Sequence, residues 1–229
     1  MKLSVILPAR NEEKLIKSTV LEILNHLKKK DYSFEVLVII NGCTDNTEKI
    51  AREVSTENRQ LKVLTSSQGY GIALRKGLKE AKGEFIAIFN VDYYNLHFLD
   101  LADIGMYGKD VIIGSKRTYW AEDNRSLVRK AISLFFNLFL RLAFGFKGSD
   151  THGIKLMRRT VIDKILRKCR TTSDIFYTEL IIKAQRAGFK LADFPVAVEE
   201  KRPSRFTFVD RTLKTPLNIY LLYKALNEK

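Results

Sequence analysis

The sequence predicts an α/β protein with three layers, in which a central, mainly parallel sheet carries helices on both faces. Three observations predict it. Short apolar runs alternate with segments of helical periodicity through roughly the first half of the chain. Two of those runs, EVLVII at 35–40 and EFIAIF at 84–89, are almost unbroken, as expected of strands buried on both sides. The runs end in turn formers or helix caps, so strand, helix and strand follow at the spacing of crossover units.

The elements follow in order. Residues 3–7 form the first strand, stopped by Pro8, and 12–27 a helix whose Leu15, Ile16, Val20, Ile23, Leu24 and Leu27 share a face. After the strand 35–40, Thr44 or Asp45 opens a helix to about Val54, with Glu48 placed for a capping box with Asp45. A short strand at 62–65 precedes a helix at 71–81, closed by Gly83, and strands at 84–89 and 110–114 complete this half. In such sheets ligands bind beyond the carboxyl ends of the strands. That singles out 8–12, 41–45, 90–94 and 115–117.

The later half reads as a long helix from about 124 to 144, a loop GFKGSDTHG, a strand at GIKLM and two helices near 160–168 and 174–187. A strand at 192–198, a basic loop EEKRPSRF and a helix beginning after Pro216 follow. No repeat, low-complexity tract or linker divides the chain, which reads as one domain, 1–229.

Charge is uneven. The formal excess is +14, yet residues 1–112 hold 16 basic and 15 acidic side chains against 24 and 11 in 113–229. A near-neutral half joined to a basic half points to one anionic ligand surface on an ordinary globular body. Nucleic acid is not expected: the cations are scattered among acids and apolar faces, with no recognised binding module. Cys43 and Cys169 form neither a disulfide framework nor a metal-ligand pair, which fits a reducing compartment. The opening apolar run is too short for a leader, and no stretch of the sequence is long and apolar enough to span a membrane.

The residues at the strand ends then carry chemistry. LPARNEE, INGCTDNT, GYGIALRKG, NVDYY, DTHG, YTELIIKAQRAG and KRPSRF occur in that order along the chain. GYGIALRKG is not a dinucleotide fingerprint, because Leu74 occupies the place of its third glycine. As an ordered set they resemble the family 2 inverting glycosyltransferases, and among them the dolichyl- and polyprenyl-phosphate mannosyl- and glucosyltransferases. The resemblance implies the glycosyltransferase-A fold, a Rossmann-like α/β/α arrangement, with 1–114 binding the nucleotide sugar and 115–229 the acceptor.

It also implies roles. Pro8, Arg10, Glu12, Ile39 and Asn41 would frame the nucleoside. Asn90, Val91, Asp92 and Tyr94 would lie at the diphosphate, with Asp92 and Asn90 toward a divalent Mg²⁺ or Mn²⁺. Arg117 or Lys116, Arg202 and Arg205 would face phosphates, and Arg129 and Ser133 the acceptor phosphate; Asp92 and these arginines with Ser133 form the catalytic set. Residue pattern supports the last pair independently: Arg129, Ser133 and Asn137 recur at i, i+4 and i+8, a polar stripe on an aromatic helix. A solvated helix face is the plain alternative. Phe135, Phe136, Phe139, Phe144 and Phe146 beside it fit core packing in part and a membrane-interfacial face in part.

A phosphate monoester has a second pKa near ~6 and is mostly dianionic at neutral pH, so it attacks the sugar carbon without a strong base. The expected reaction is a single displacement moving a hexose from GDP-mannose or UDP-glucose to a polyprenyl phosphate. A carbohydrate hydroxyl acceptor is the alternative and needs a carboxylate, for which Asp150 and Glu179 stand as base or as structural residues. His152 reads as a loop histidine. Four departures from the family pattern matter: Asn41, Cys43, Asn90 and Tyr94 replace an aspartate, a serine, the first metal-motif aspartate and a polar residue. The cation site is short of one charge, so the metal is expected to be weakly held or dispensable. A nucleotide-sugar- or lipid-binding partner subunit is the non-enzymatic alternative. The expected setting is cytoplasmic and peripheral at a membrane surface, with a membrane-anchor subunit as a further partner.

Overall fold

A computed structural model describes residues 1–115, 127–151, 153–196 and 208–227, without side-chain detail at 127–133 and 208–215. The expected strands and helices are present. Strands β1 (Leu3–Ala9), β2 (Phe34–Asn41), β3 (Leu61–Ser66), β4 (Phe85–Ile88), β5 (Val111–Ser115), β6 (Lys155–Arg158) and β7 (Leu191–Pro195) join in the order β3-β2-β1-β4-β6-β5-β7. All pairings are parallel except those of β6, which runs antiparallel to β4 and β5. Helices α1 (Ile16–Leu27), α2 (Thr47–Glu57), α3 (Tyr70–Glu80), α4 (Leu127–Phe144), α5 (Arg159–Ile165), α6 (Phe176–Arg186) and α7 (Phe208–Asn227) cover it.

The two-residue period of the strands divides the core. From β1, Leu3, Val5, Leu7 and Ala9 pack on one side with α1 and α2, while Ile6 joins α3, α5 and α6 on the other. β2 and β4 repeat the split: Val36, Val38 and Phe85 point one way, Leu37, Ile39 and Ile86 the other. Burial on both faces explains why these strands read as apolar runs rather than alternations. At the amino end a polar knot closes the layer. Glu35, 1% exposed, accepts from Ser4 Oγ, Lys62 Nζ and the Lys82 amide, each at 2.7 Å. Burial would raise its pKa, but these donors hold it below the usual carboxylate value.

Several expectations are corrected. The Asp45–Glu48 capping box does not form: α2 starts at Thr47, whose amide bonds Asp45 Oδ1 at 3.0 Å, and Glu48 pairs with Arg52 instead. The first helix starts at Ile16 rather than 12, because Glu12 is held in the preceding loop. The last helix does not begin after Pro216 but contains it. The hydrogen bond lost at the proline is offset by burial of Leu222 and Leu226. A 3₁₀ turn at His97–Ala102 and a left-handed turn at Gly105–Gly108, where all four residues have positive φ, are too short to give a periodic signal in the sequence.

Helix α3 lies close on the sheet because Gly77 has no side chain. A Cβ there would come 2.6 Å from Ile6 Cγ2, inside β1. Gly77→Ala is therefore expected to destabilise the protein by about 1–3 kcal/mol, seen as a lower urea midpoint at unchanged slope.

Candidate active site

Sheet order reverses at β1: β2 and β3 lie to one side, β4 to the other. The connections after β1 and β4 run to opposite sides of this boundary, whose carboxyl edge is the usual ligand position in open α/β sheets. Three loops meet there, and asparagines organise them.

Asn11 follows β1 with φ +53°, a conformation asparagine tolerates better than most residues. Its Oδ1 accepts from the Thr44 amide at 2.8 Å and its Nδ2 donates to Thr44 Oγ1 at 3.1 Å, lacing the β1 loop to the β2 loop. The Glu12 amide donates to Thr47 Oγ1 at 2.6 Å, and the Glu13 amide to Asp45 at 3.1 Å. Glu12 is buried, whereas Arg10 is exposed and lies 2.8 Å from the oxygen of Gln68 when that amide is turned toward it. Asn41, 4% exposed at the end of β2, accepts from the Gly69 amide at 2.7 Å. Gly69 has φ +144°, a conformation that needs glycine, and it sets the start of α3. The sequence-predicted Asn41 thus has a structural task in this arrangement. Pro8 and Ile39 lie within β1 and β2, Ile39 buried among the apolar residues beneath α3.

Beyond β4 the chain folds into a tight turn. Asn90 and Tyr93 exchange backbone hydrogen bonds at 3.1 and 3.2 Å, placing Val91 and Asp92 at the tip. Val91 is buried and its carbonyl accepts from Thr19 of α1 at 2.9 Å. Asp92 is half-exposed. Asn90 Oδ1 accepts from the Tyr70 hydroxyl at 2.8 Å, and the Tyr94 hydroxyl bonds Glu22 of α1 at 2.5 Å. Among the described residues no group of three His, Cys, Asp or Glu is gathered to hold a metal. The turn offers a divalent cation one carboxylate, Asp92, which fits an ion whose other ligands are diphosphate oxygens and water.

The antiparallel strand β6 brings its first residue to this same end. Lys155 pairs with Ile88 of β4 and Ile113 of β5, and it is fully buried. Its Nζ donates to the Gly153 carbonyl at 2.6 Å and lies 4.3 Å from the ring centre of Tyr177. Burial pushes its pKa down to about 7, against the pull of Asp150 and Asp193. Sequence reasoning missed this lysine. The signal was there, a cation inside the apolar strand pattern GIKLM, but read in isolation it resembled a strand's solvent face.

Of the two carboxylates weighed as bases, Glu179 is 0% exposed on α6. It accepts from the Arg170 and Thr171 amides at 2.8 Å, from Thr171 Oγ1 at 2.6 Å and from Lys183 at 2.7 Å. That fourfold engagement pins the 170–171 loop to the helix. Asp150 is buried in the 148–154 loop, close to Gly153. On α4, Asn137 is 3% exposed while Phe135 and Leu142 on other faces are 71% and 80% exposed. The helix thus turns Asn137 inward and part of its apolar surface outward, which removes the solvated-face reading at Asn137. Arg129 and Ser133 occupy the same face of that helix by backbone position. Lys116, Arg117, His152, Arg202 and Arg205 lie outside the described residues. The cleft of about 680 Å³ bounded by Arg75, Lys79, Arg159 and Arg167 belongs to the opposite end of the sheet, where Arg159 bonds the Gly83 carbonyl ahead of β4.

A doubly covered, mainly parallel sheet with laced loops after β1 and β2 is a form that many ligand-binding α/β proteins share, and sequence similarity narrows it to one family. Residues 4–166 match glycosyl transferase family 2, and the chain belongs to that family. It is 30% identical over 224 residues to Glycosyltransferase AglD of Haloferax volcanii, covering 91% of this chain and 35% of that protein. It is 25% identical over 250 residues to the dolichyl-phosphate beta-glucosyltransferase of Saccharomyces cerevisiae, covering 97% and 74%. A Trichomonas vaginalis dolichyl-phosphate beta-glucosyltransferase is 23% identical, with 86% and 66% covered. The chain thus spans about a third of the first relative and about two thirds of the last. Its fold is that of glucosyl-3-phosphoglycerate synthase from Mycobacterium tuberculosis, solved with Mn²⁺, UDP-glucose and phosphoglyceric acid: TM-score 0.74, 18% identity, 100% of this chain and 80% of that one.

Two outcomes follow. Glu179→Ala is expected to cost about 3–5 kcal/mol of stability, because four donors lose a buried acceptor; unchanged stability with lost turnover would instead mark a catalytic base. For Lys155, whose folded pKa lies below its unfolded value of 10.5, the unfolded chain binds more protons between about pH 7 and 10. Burial of the charge therefore costs stability in full below pH 7, and that cost is relieved as pH rises through this window. The stability of the wild type relative to Lys155→Met should increase from pH 7 to 10, measured by urea unfolding.

Proposed function

We propose that the chain transfers a hexose from a nucleotide sugar, of the GDP-mannose or UDP-glucose type, to a polyprenyl phosphate in a single inverting displacement. The observation that carries the choice of acceptor is the engagement of Glu179: four donors occupy one of the two carboxylates, Glu179 and Asp150, that a hydroxyl acceptor could use as base. A phosphate dianion needs no such base. The names of the Saccharomyces and Trichomonas relatives support the same acceptor class.

In this reading the donor lies across the carboxyl edge of β1 and β4, with its nucleoside by Pro8, Arg10, Glu12, Ile39 and Asn41 and its diphosphate at the Asn90–Asp92 turn. A divalent cation arriving with the donor would be held by Asp92, supplying charge to the departing diphosphate. Arg117 or Lys116, Arg202 and Arg205 would neutralise phosphate oxygens, and Arg129 and Ser133 would take the acceptor phosphate. The acceptor phosphate oxygen bonds to the sugar's anomeric carbon as the bond to the nucleoside diphosphate breaks, and the leaving group keeps the electron pair.

Access to a long-chain lipid phosphate would come from the outward face of α4, where Leu134, Phe135, Leu138 and Leu142 are exposed beside Arg141. No helix among the described residues is long and apolar enough to cross a membrane. In this reading the contact is interfacial, at a cytoplasmic membrane surface or through a membrane-anchor subunit.

The test is incubation with GDP-mannose or UDP-glucose and a polyprenyl phosphate in mixed micelles, with mass spectrometry of the lipid fraction. A lipid-linked hexose is expected, reduced about 10²–10³-fold in Asp92→Ala. No product from any common donor would sink the proposal.

A further inference from the structure

Asn90 stands at the first position of the Asn90–Val91–Asp92 turn, and its carboxamide is not free to rotate. Tyr70, the first residue of α3, donates its phenol proton to Asn90 Oδ1 at 2.8 Å. The direction of that bond is set by the amide oxygen, which can only accept, so the Tyr70 proton goes to Asn90. Behind Tyr70 stands the ring of Tyr177 from α6. The two rings lie 5.8 Å apart, inclined at 45°. Tyr177 is in turn held under the Lys155 ammonium, 4.3 Å from its ring centre, and Lys155 is fixed to the Gly153 carbonyl. A chain of four side chains thus runs from the start of β6 to the turn beyond β4.

An amide presents an acceptor oxygen on one side and an NH₂ donor on the other. The Tyr70 bond takes one of the oxygen's two lone pairs and fixes how the carboxamide is turned, so the NH₂ on its other side is the group presented to a ligand. A divalent cation requires oxygen and is repelled by an N–H, whereas a phosphate oxygen requires the N–H. We propose that Tyr70 makes Asn90 a hydrogen-bond donor to the donor diphosphate instead of a cation ligand, leaving Asp92 as the cation's side-chain ligand from this turn. Tyr70 is a positioning residue in this arrangement, and Tyr177 and Lys155 maintain it. The proposal rests on the donor reading of the same site and deepens it: diphosphate recognition at this turn is partly independent of metal.

The experiment measures binding of GDP and UDP calorimetrically to wild type, Tyr70→Phe, Asn90→Ala, Asn90→Asp and Asp92→Ala, in EDTA and in Mn²⁺. Free Mn²⁺ is read by electron paramagnetic resonance. In EDTA, Asn90→Ala and Tyr70→Phe should each weaken nucleoside diphosphate binding about 10- to 100-fold, the value of one hydrogen bond to a charged group. Mn²⁺ affinity in the presence of the nucleotide should stay within about 2-fold in Asn90→Ala, fall about 10-fold or more in Asp92→Ala, and rise in Asn90→Asp. Tyr70→Phe removes one oxygen from a half-buried ring, and thermal melts confirm its fold. The proposal is overturned if Asn90→Ala lowers Mn²⁺ affinity as far as Asp92→Ala, or if Tyr70→Phe leaves metal-free binding unchanged. Failure of the wild type to bind either nucleotide under any condition overturns the donor reading itself.

Discussion

A strand paired at both edges and covered on both faces has no water for its amides, so its neighbours must supply every hydrogen bond. β1 is such a strand. All seven of its residues are buried, and it pairs in parallel with β2 on one side and β4 on the other. Where it ends, at Ala9, the backbone leaves the ladder while still inside the protein, and the next polar groups must be satisfied by side chains. Asn11, Thr44, Asp45 and Thr47 do this, and in doing so they build the wall of the site. The site is thus the way the sheet's carboxyl edge closes its hydrogen bonds.

Asparagine recurs at that edge because its side chain both donates and accepts. Asn11 ties two loops, Asn41 holds the start of α3, and Asn90 receives Tyr70. A carboxylate at position 41 or 90 would accept in the same way but would add charge near the site. The Asn90–Val91–Asp92 turn therefore carries a single carboxylate, Asp92.

Strand β6 couples the two halves. Being antiparallel, it starts where β4 and β5 end, so its first residue, Lys155, enters the site's underside. Its burial would be costly without Gly153, the Tyr177 face and the nearby Asp150 and Asp193. Glu179 performs a parallel service on α6, anchoring residues 170–171 just before the Thr172–Ser173 backbone that lies against Gly71 in the first turn of α3. Both are buried charges whose partners are mainly local loops, and both stiffen the ground on which the site stands.

Much of the fold was legible in the chain, since EVLVII and EFIAIF can hardly be other than doubly buried strands and the α1 periodicity is complete. The strand ends that face the site were legible too, because turn formers at the carboxyl ends of parallel strands mark a ligand edge whatever the ligand. Side-chain partners were not. Nothing in the neighbourhood of Asn90 in sequence reveals Tyr70, 20 residues away, nor does Glu179 reveal that Arg170, Thr171 and Lys183 surround it. The orientation of α4 was open as well, since its aromatic residues fit core packing in part and an outward interfacial face in part; the fold exposes Phe135 and buries Asn137. Local pattern determines which backbone groups must pair and where the chain turns. Which amide oxygen meets which hydroxyl depends on the packing of α3 and α6 against the sheet, a long-range outcome that only the tertiary structure decides.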